Sequence, residues 1–145
     1  MRAVVDTNAA VSGLLWEGPP NEILKWARDG FLVLLACQET VRELTRILQY
    51  KRFEHRLSML GLSADEVSAY YMNIVRFIPD PKNAPHIIHE DPFDNLFLAL
   101  ASEGKAQLII SGDRHLLGLG SHMGIQIVTP SEACKVMETL LTAKE

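Results

Sequence analysis

Short apolar runs alternate along the chain with stretches whose apolar residues recur every three or four positions. The runs Ala3-Val4-Val5, Phe31–Leu35, Leu108-Ile109-Ile110 and Ile125–Val128 are the length of buried strands. Between them the spacing predicts helices. Asn21 is placed to cap a helix over about Glu22–Asp29, with Gly30 as its stop. In the segment from Glu39 to about Tyr50, Val41, Leu44, Ile47 and Leu48 share one face. A shorter helix covers Phe53–Leu60 and ends at Gly61. Ser63 with Glu66 three residues on is a capping box, opening a helix towards Phe77. Asp91-Pro92 is a helix start with Asp as cap and Pro in the first turn, running to Gly104. Pro130-Ser131-Glu132 starts a last helix to about Leu141. Strands separated by helices predict an α/β protein: a central parallel sheet of four to five strands, covered on both faces.

One domain is expected over residues 1–145. The sole linker-like stretch, Pro79–Pro85, holds three of the seven prolines and reads as a stiff surface loop. An apolar fraction of 48% excludes disorder, and no apolar run approaches the ~20 residues of a membrane span. An acid interrupts the first apolar run at Asp6, which is not the pattern of a secretory signal. Cys37 and Cys134 are the only cysteines, too few for a disulfide framework or a thiolate zinc site, so a reduced, cytoplasmic setting is expected. The formal charge of −4 argues against bulk coating of nucleic acid, though not against a local basic patch.

In an open parallel sheet, ligands bind beyond the carboxyl ends of the strands, where strand order reverses. Asp6 ends the first strand, and Asp113 follows the strand Leu108–Ile110. Small polar residues flank both: Thr7 and Asn8 after one, Ser111 and Gly112 before the other. Asp94 lies in the first turn of the helix feeding the Leu108 strand, and Glu43 lies on the helix after the Phe31 strand. Each acid also has an ordinary role open to it. Asp6 and Asp113 suit turns, Asp94 suits the helix dipole, and Glu43 is spaced to pair with Arg46 or Arg42. Should the four meet, their repulsion raises at least one pKa unless a cation neutralises it. A hard divalent ion fits an all-oxygen set, lowers the pKa of a bound water and stabilises in-line phosphoryl displacement.

The succession V-V-D-T-N at 4–8, E-T-V-R-E-L at 39–44, D-P-F-D-N-L-F-L-A-L-A at 91–101 and L-I-I-S-G-D-R-H-L-L at 108–117 resembles a PIN domain. It is most similar to the VapC-like toxins of type II toxin–antitoxin pairs, over about residues 2–133. The resemblance implies a three-layer α/β/α sandwich and a metal-dependent endoribonuclease using one or two Mg²⁺ or Mn²⁺ ions. It places the metal-binding, catalytic acids on Asp6, Glu43, Asp94 and Asp113. Asn8 and Ser111, with Thr7, take supporting positions. Asp91 is either an accessory acid or only the helix cap. RNA is the implied substrate, a small antitoxin the implied partner and a homodimer the implied assembly, with 5′-phosphate and 3′-hydroxyl product ends. Two positions depart from the pattern: Cys37 stands where relatives commonly carry Ser, and Leu96 where they often carry Lys. A catalytically silent RNA-binding or assembly module and a housekeeping nuclease without antitoxin are the competing readings.

Arg42, Arg46, Lys51, Arg52 and Arg56 give the segment 42–56 a net charge of +3 once Glu43 and Glu54 are counted. This run adjoins Glu43 and is the expected seat of RNA phosphates, with a solvated helix face as the plainer reading. Tyr70 and Tyr71 are expected in packing rather than base stacking, and Cys134 in the core. His86, His89, Glu90 and Asp91 carry metal-ligand side chains, but they follow a proline loop and read as surface rather than a zinc site. His115 is read as a surface residue at a helix start.

Overall fold

The computed structural model describes residues 1–82, 85–88 and 91–143. Strand β1 (Arg2–Val5) leads into helices α1 (Thr7–Leu15) and α2 (Pro19–Arg28), then β2 (Val33–Ala36) and α3 (Gln38–Leu48). A 3-10 turn (Lys51–Phe53), α4 (Glu54–Leu60), α5 (Ala64–Ile74) and β3 (Arg76–Phe77) complete the first half. The second half holds α6 (Pro92–Glu103), β4 (Leu108–Ile110), α7 (Arg114–Leu117), β5 (Ser121–His122), β6 (Ile125–Val128) and α8 (Pro130–Ala143). The sheet order is β3-β2-β1-β4-β6-β5. Every pairing is parallel except β5 with β6. The chain moves outward from β1 in both directions, so the topological switch lies between β1 and β4.

The central strands read as unbroken apolar runs because both faces are covered. Alternate residues go to opposite layers. Ala3, Val5, Leu34, Ala36, Leu108 and Ile110 face one core with Ile23 and Leu44. Val4, Leu35 and Ile109 face the other with Phe97, Leu98 and Leu100 of α6. This is the expected α/β/α sandwich, and the expected four to five strands become six. The additions, β3 and β5, are two-residue edges, too short to leave a period in the sequence. The β5–β6 hairpin turns on Met123 and Gly124, both at positive φ, as a tight hairpin requires.

Several boundaries differ from the sequence pattern. Helix α1 follows Asp6 directly, and its small residues Ala9, Ala10 and Gly13 gave little apolar signal. Helix α2 begins at Pro19, so Asn21 is no cap; its Nδ2 donates to the Gly13 carbonyl at 2.8 Å and ties α2 to α1. The strand after it is Val33–Ala36, displaced from Phe31, which is 57% exposed. Helix α5 stops at Ile74, because Arg76 and Phe77 pair with the otherwise open edge of β2. Within the proline loop, Asn83 and Ala84 lie outside the described residues, as do His89 and Glu90 of the histidine motif. Asp80 in that loop has a defined job. Its carboxylate accepts from the Glu39 N–H at 3.1 Å, capping α3 where Cys37 is a poor cap.

The α1–α2 contact is close enough to test. A Cβ on Gly13 would stand 2.7 Å from the Pro20 carbonyl oxygen and 2.9 Å from Leu24 Cδ1. The nearest atom is backbone and cannot rotate away. Gly13→Ala is therefore expected to destabilise the protein by about 1–3 kcal/mol, read as a lowered denaturation midpoint with an unchanged slope.

Candidate metal centre

The switch point brings Asp6 and Asp113 together. Asp6 follows β1, continues its ladder by donating its N–H to Ile110, and caps α1 by accepting from Ala9 N–H at 2.9 Å. Asp113 caps α7, accepting from His115 N–H at 2.7 Å. Ser111 sits between them: its hydroxyl donates to the second carboxylate oxygen of Asp6 and accepts the Asp113 N–H at 2.9 Å. Asp6 is buried, and burial is the largest influence raising its pKa, countered by the Ser111 and Ala9 hydrogen bonds. Ser111→Ala leaves that buried carboxylate short of a donor. The expected loss is about 1–3 kcal/mol of stability, measured by chemical denaturation, with the pKa of Asp6 displaced further upward.

Helix α6 supplies the other side. Asp91 is its cap, accepting from Phe93 N–H at 3.0 Å, and Asp94 lies one turn further on. Carboxylate oxygens of Asp91, Asp94 and Asp113 all lie within 4.8 Å of one another. Asp94 is only 5% exposed, and its Oδ2 is buried with no hydrogen-bond partner among the described residues. Burial first, then the charges of Asp113, Asp91 and Asp6, push its pKa up to about 7. The acids line a small open pocket with Thr7, Asn8, Glu43, Ile47, Phe93 and Phe97. Its room for water-sized groups is about 80 Å³, against the ~10–15 Å³ one water needs. Thr7 Oγ1, on the same wall, is likewise buried without a partner among the described residues.

Glu43 lines this pocket but stands outside the three-acid group. Arg46, one turn along α3, holds both its oxygens at 2.6 and 3.0 Å. The guanidinium pKa is raised as a result. The rest of the basic run is partly engaged by aromatic rings. Arg46 also reaches the Tyr50 hydroxyl at 2.6 Å, Arg52 lies over Tyr50 and Phe53, and Arg56 lies over Trp16. Arg42 and Lys51 are exposed.

Four of the sequence-predicted residues, Asp6, Asp94, Asp113 and Glu43, thus line one pocket, with Asp91, Thr7 and Asn8 beside them and Ser111 bridging from behind. Tyr71 is buried, and burial together with the Asp6 charge pushes its phenol up; Tyr70 is exposed. Leu96 is buried, so this position presents no side chain to a ligand. Cys134 is half-buried against the core, its thiol facing the Pro19 carbonyl. One structural anchor escaped the sequence reading. Asn95 Oδ1 accepts from Ile87 and Ile88 N–H, and Nδ2 donates to the Ile88 carbonyl at 2.7 Å. It fixes the segment that leads into Asp91, and the D-N pair in the motif was its only trace.

The pocket suits a hard divalent cation. All donors in the acid group are oxygens, and among the described residues the charges crowd without a compensating cation inside the group and two buried oxygens lack partners. No helix among the described residues is long and apolar enough to cross a membrane.

The same architecture occurs in the crystal structure of PAE2754 from Pyrobaculum aerophilum. The two chains are 15% identical with a TM-score of 0.58, over 96% of this chain and 99% of the other, a likeness of fold. No curated protein resembles the chain closely enough in sequence to count as a match. The sequence profile of the PIN domain matches residues 2–115, which hold every acid of the pocket. On that match, and with the sandwich and acid group that accompany it, the chain belongs to the PIN-domain family, whose members are generally nucleases.

Proposed function

We propose that this protein is an endoribonuclease dependent on Mg²⁺ or Mn²⁺, and the toxin of a toxin–antitoxin pair. The observation that carries the metal site is the meeting of Asp91, Asp94 and Asp113 around a buried Asp94 oxygen that has no partner among the described residues. Asp6, Asp94 and Asp113, with Glu43, are the residues that would hold one or two ions. Asp91, Thr7, Asn8 and Ser111 would support them. When bound, a divalent ion supplies a water of lowered pKa and stabilises charge on the reacting phosphate. Ser111 keeps Asp6 and Asp113 in fixed relation, and Asp94 gives up its proton as the cluster is neutralised. Arg42, Arg46, Lys51, Arg52 and Arg56 would receive RNA phosphates beside the acids. A homodimer, a small antitoxin seated over the pocket and a cytoplasmic location complete the reading.

Purified protein incubated with a pool of labelled RNAs is expected to cleave in Mg²⁺ or Mn²⁺ and not in EDTA, leaving 5′-phosphate and 3′-hydroxyl ends. Cleavage that continues in EDTA removes the metal from the account. RNA binding with no cleavage under any metal moves the protein to the silent binding module.

A further inference from the structure

The basic run is interleaved with aromatic rings, Tyr50 and Trp16 exposed and Phe53 buried between them, in a ladder of contacts leading out of the acid pocket. It starts at Glu43 on the pocket wall. Arg46 holds Glu43 and lies 5.4 Å from the centroid of the Tyr50 ring. Arg52 lies 5.3 Å from the Tyr50 centroid and 4.9 Å from that of Phe53. Phe53 meets Trp16 at 6.1 Å, and Arg56 lies 5.7 Å from the Trp16 centroid. Arg56 Nε also donates to the Leu15 carbonyl at 2.7 Å, which anchors the guanidinium at the end of α1. Phe53 is buried, but Tyr50 is 36% and Trp16 43% exposed. Tyr50 follows Glu43 by seven positions, just past the end of α3 at Leu48.

Cations set against partly exposed aromatic rings suit unpaired nucleotides: bases stack on the ring face left open or on the guanidinium plane, and phosphates meet the guanidinium charge. A duplex hides its base faces and offers these rings nothing. Arg46 shares its charge with Glu43, so phosphates fall chiefly to Arg42, Lys51, Arg52 and Arg56. We infer that the ladder is a single-strand track, with Tyr50 and Trp16 as base-stacking positions that lead an unpaired RNA strand to the acids. The choice of RNA as occupant rests on the ribonuclease reading. The ladder itself rests on the contacts above, in a chain whose net charge of −4 contrasts with the +3 of this segment.

The test is equilibrium binding in EDTA, where no cleavage intervenes, using a ten-nucleotide oligo(U) strand and a ten-base-pair RNA duplex. The single strand is expected to quench the emission of the wild-type protein. Trp16→Phe is expected to lose that quenching, because Trp26, which packs partly buried against the core, stays silent. Tyr50→Ala is expected to weaken single-strand binding roughly five- to hundredfold at unchanged melting temperature. Arg52→Ala is expected to lower the salt slope by about 0.7. Three results each overturn the track: no binding of the single strand, unaltered wild-type emission at saturation, or equally tight binding of the duplex. Should Tyr50→Ala not fold, the wild-type emission still decides. Quenching without metal-dependent cleavage in the earlier assay keeps the track and removes the nuclease; cleavage without quenching does the reverse.

Discussion

Asp94→Asn is expected to lower metal-dependent RNA cleavage by at least a hundredfold while leaving the metal-free protein as stable as before, or more so. The two effects have one cause. Asp94 is a buried carboxyl among three other acids, with one oxygen lacking any partner among the described residues. Holding it ionised there costs free energy that folding must supply. The amide has the same shape, carries no charge, and its NH₂ donates to neighbouring carboxylates. The strain therefore falls, and so does the affinity for a hard cation. Losing a preorganised charge that stabilises a transition state typically costs ~10²–10³ in rate. The check is single-turnover cleavage beside thermal melting in EDTA. A variant that melts far below the wild type contradicts this reading, since it makes Asp94 a structural residue.

The second large effect is a coupling of stability to pH and metal. In the folded protein Asp94 titrates at about 7, against an ordinary value of 3.8. Below about pH 4 both states are protonated and the group contributes nothing. Between 4 and 7 the folded protein keeps a proton that the unfolded chain has released. Stability therefore falls as pH rises through this window. Above it the full penalty applies, an upper figure of roughly 4 kcal/mol. A divalent ion in the pocket cancels that penalty, so stabilisation by Mg²⁺ or Mn²⁺ is expected to be larger at pH 8 than at pH 5.5. Melts across this range, with and without metal, and with Asp94→Asn as the control that removes the group, test the coupling. Metal stabilisation that does not change with pH, or that persists in the variant, contradicts it.

The parts of this protein that were legible in the sequence are those set by local chemistry. Strands β4 and β6 appear at their expected residues because both are apolar runs bounded by turn signals, β4 buried throughout and β6 alternating buried Ile125 and Ile127 with exposed Gln126. The Asp91 cap and the Ser63–Glu66 capping box follow from spacing alone. Glu43 shows where local spacing stops. Its i,i+3 relation to Arg46 raised the possibility of an ion pair, while its place on the helix after β2 pointed to the pocket. The fold satisfies both, with Arg46 holding the carboxylate at the pocket wall. Contacts across long separations left no trace. Asp80 caps a helix 41 residues away, and Ser111 joins two acids that lie more than a hundred residues apart in the chain. For Asp91 the sequence left open an accessory acid or only a helix cap; the structure has it both capping α6 and joining the acid group, which depends on the helix start meeting the segment after β4. The aromatic half of the ladder was missed for a related reason. Tyr50 is near the basic run in sequence, but Trp16 reaches it only through packing of the α1 end on Phe53.

The central claim is that the pocket acids hold a divalent ion on which RNA cleavage depends. The most direct measurement is the cleavage rate of a labelled RNA pool as Mn²⁺ is titrated, for the wild type and Asp94→Asn in parallel. The rate is expected to rise from the EDTA baseline to saturation in the wild type and to stay at that baseline in the variant. A wild-type rate indifferent to Mn²⁺, or a variant that follows the same saturation curve, would contradict it.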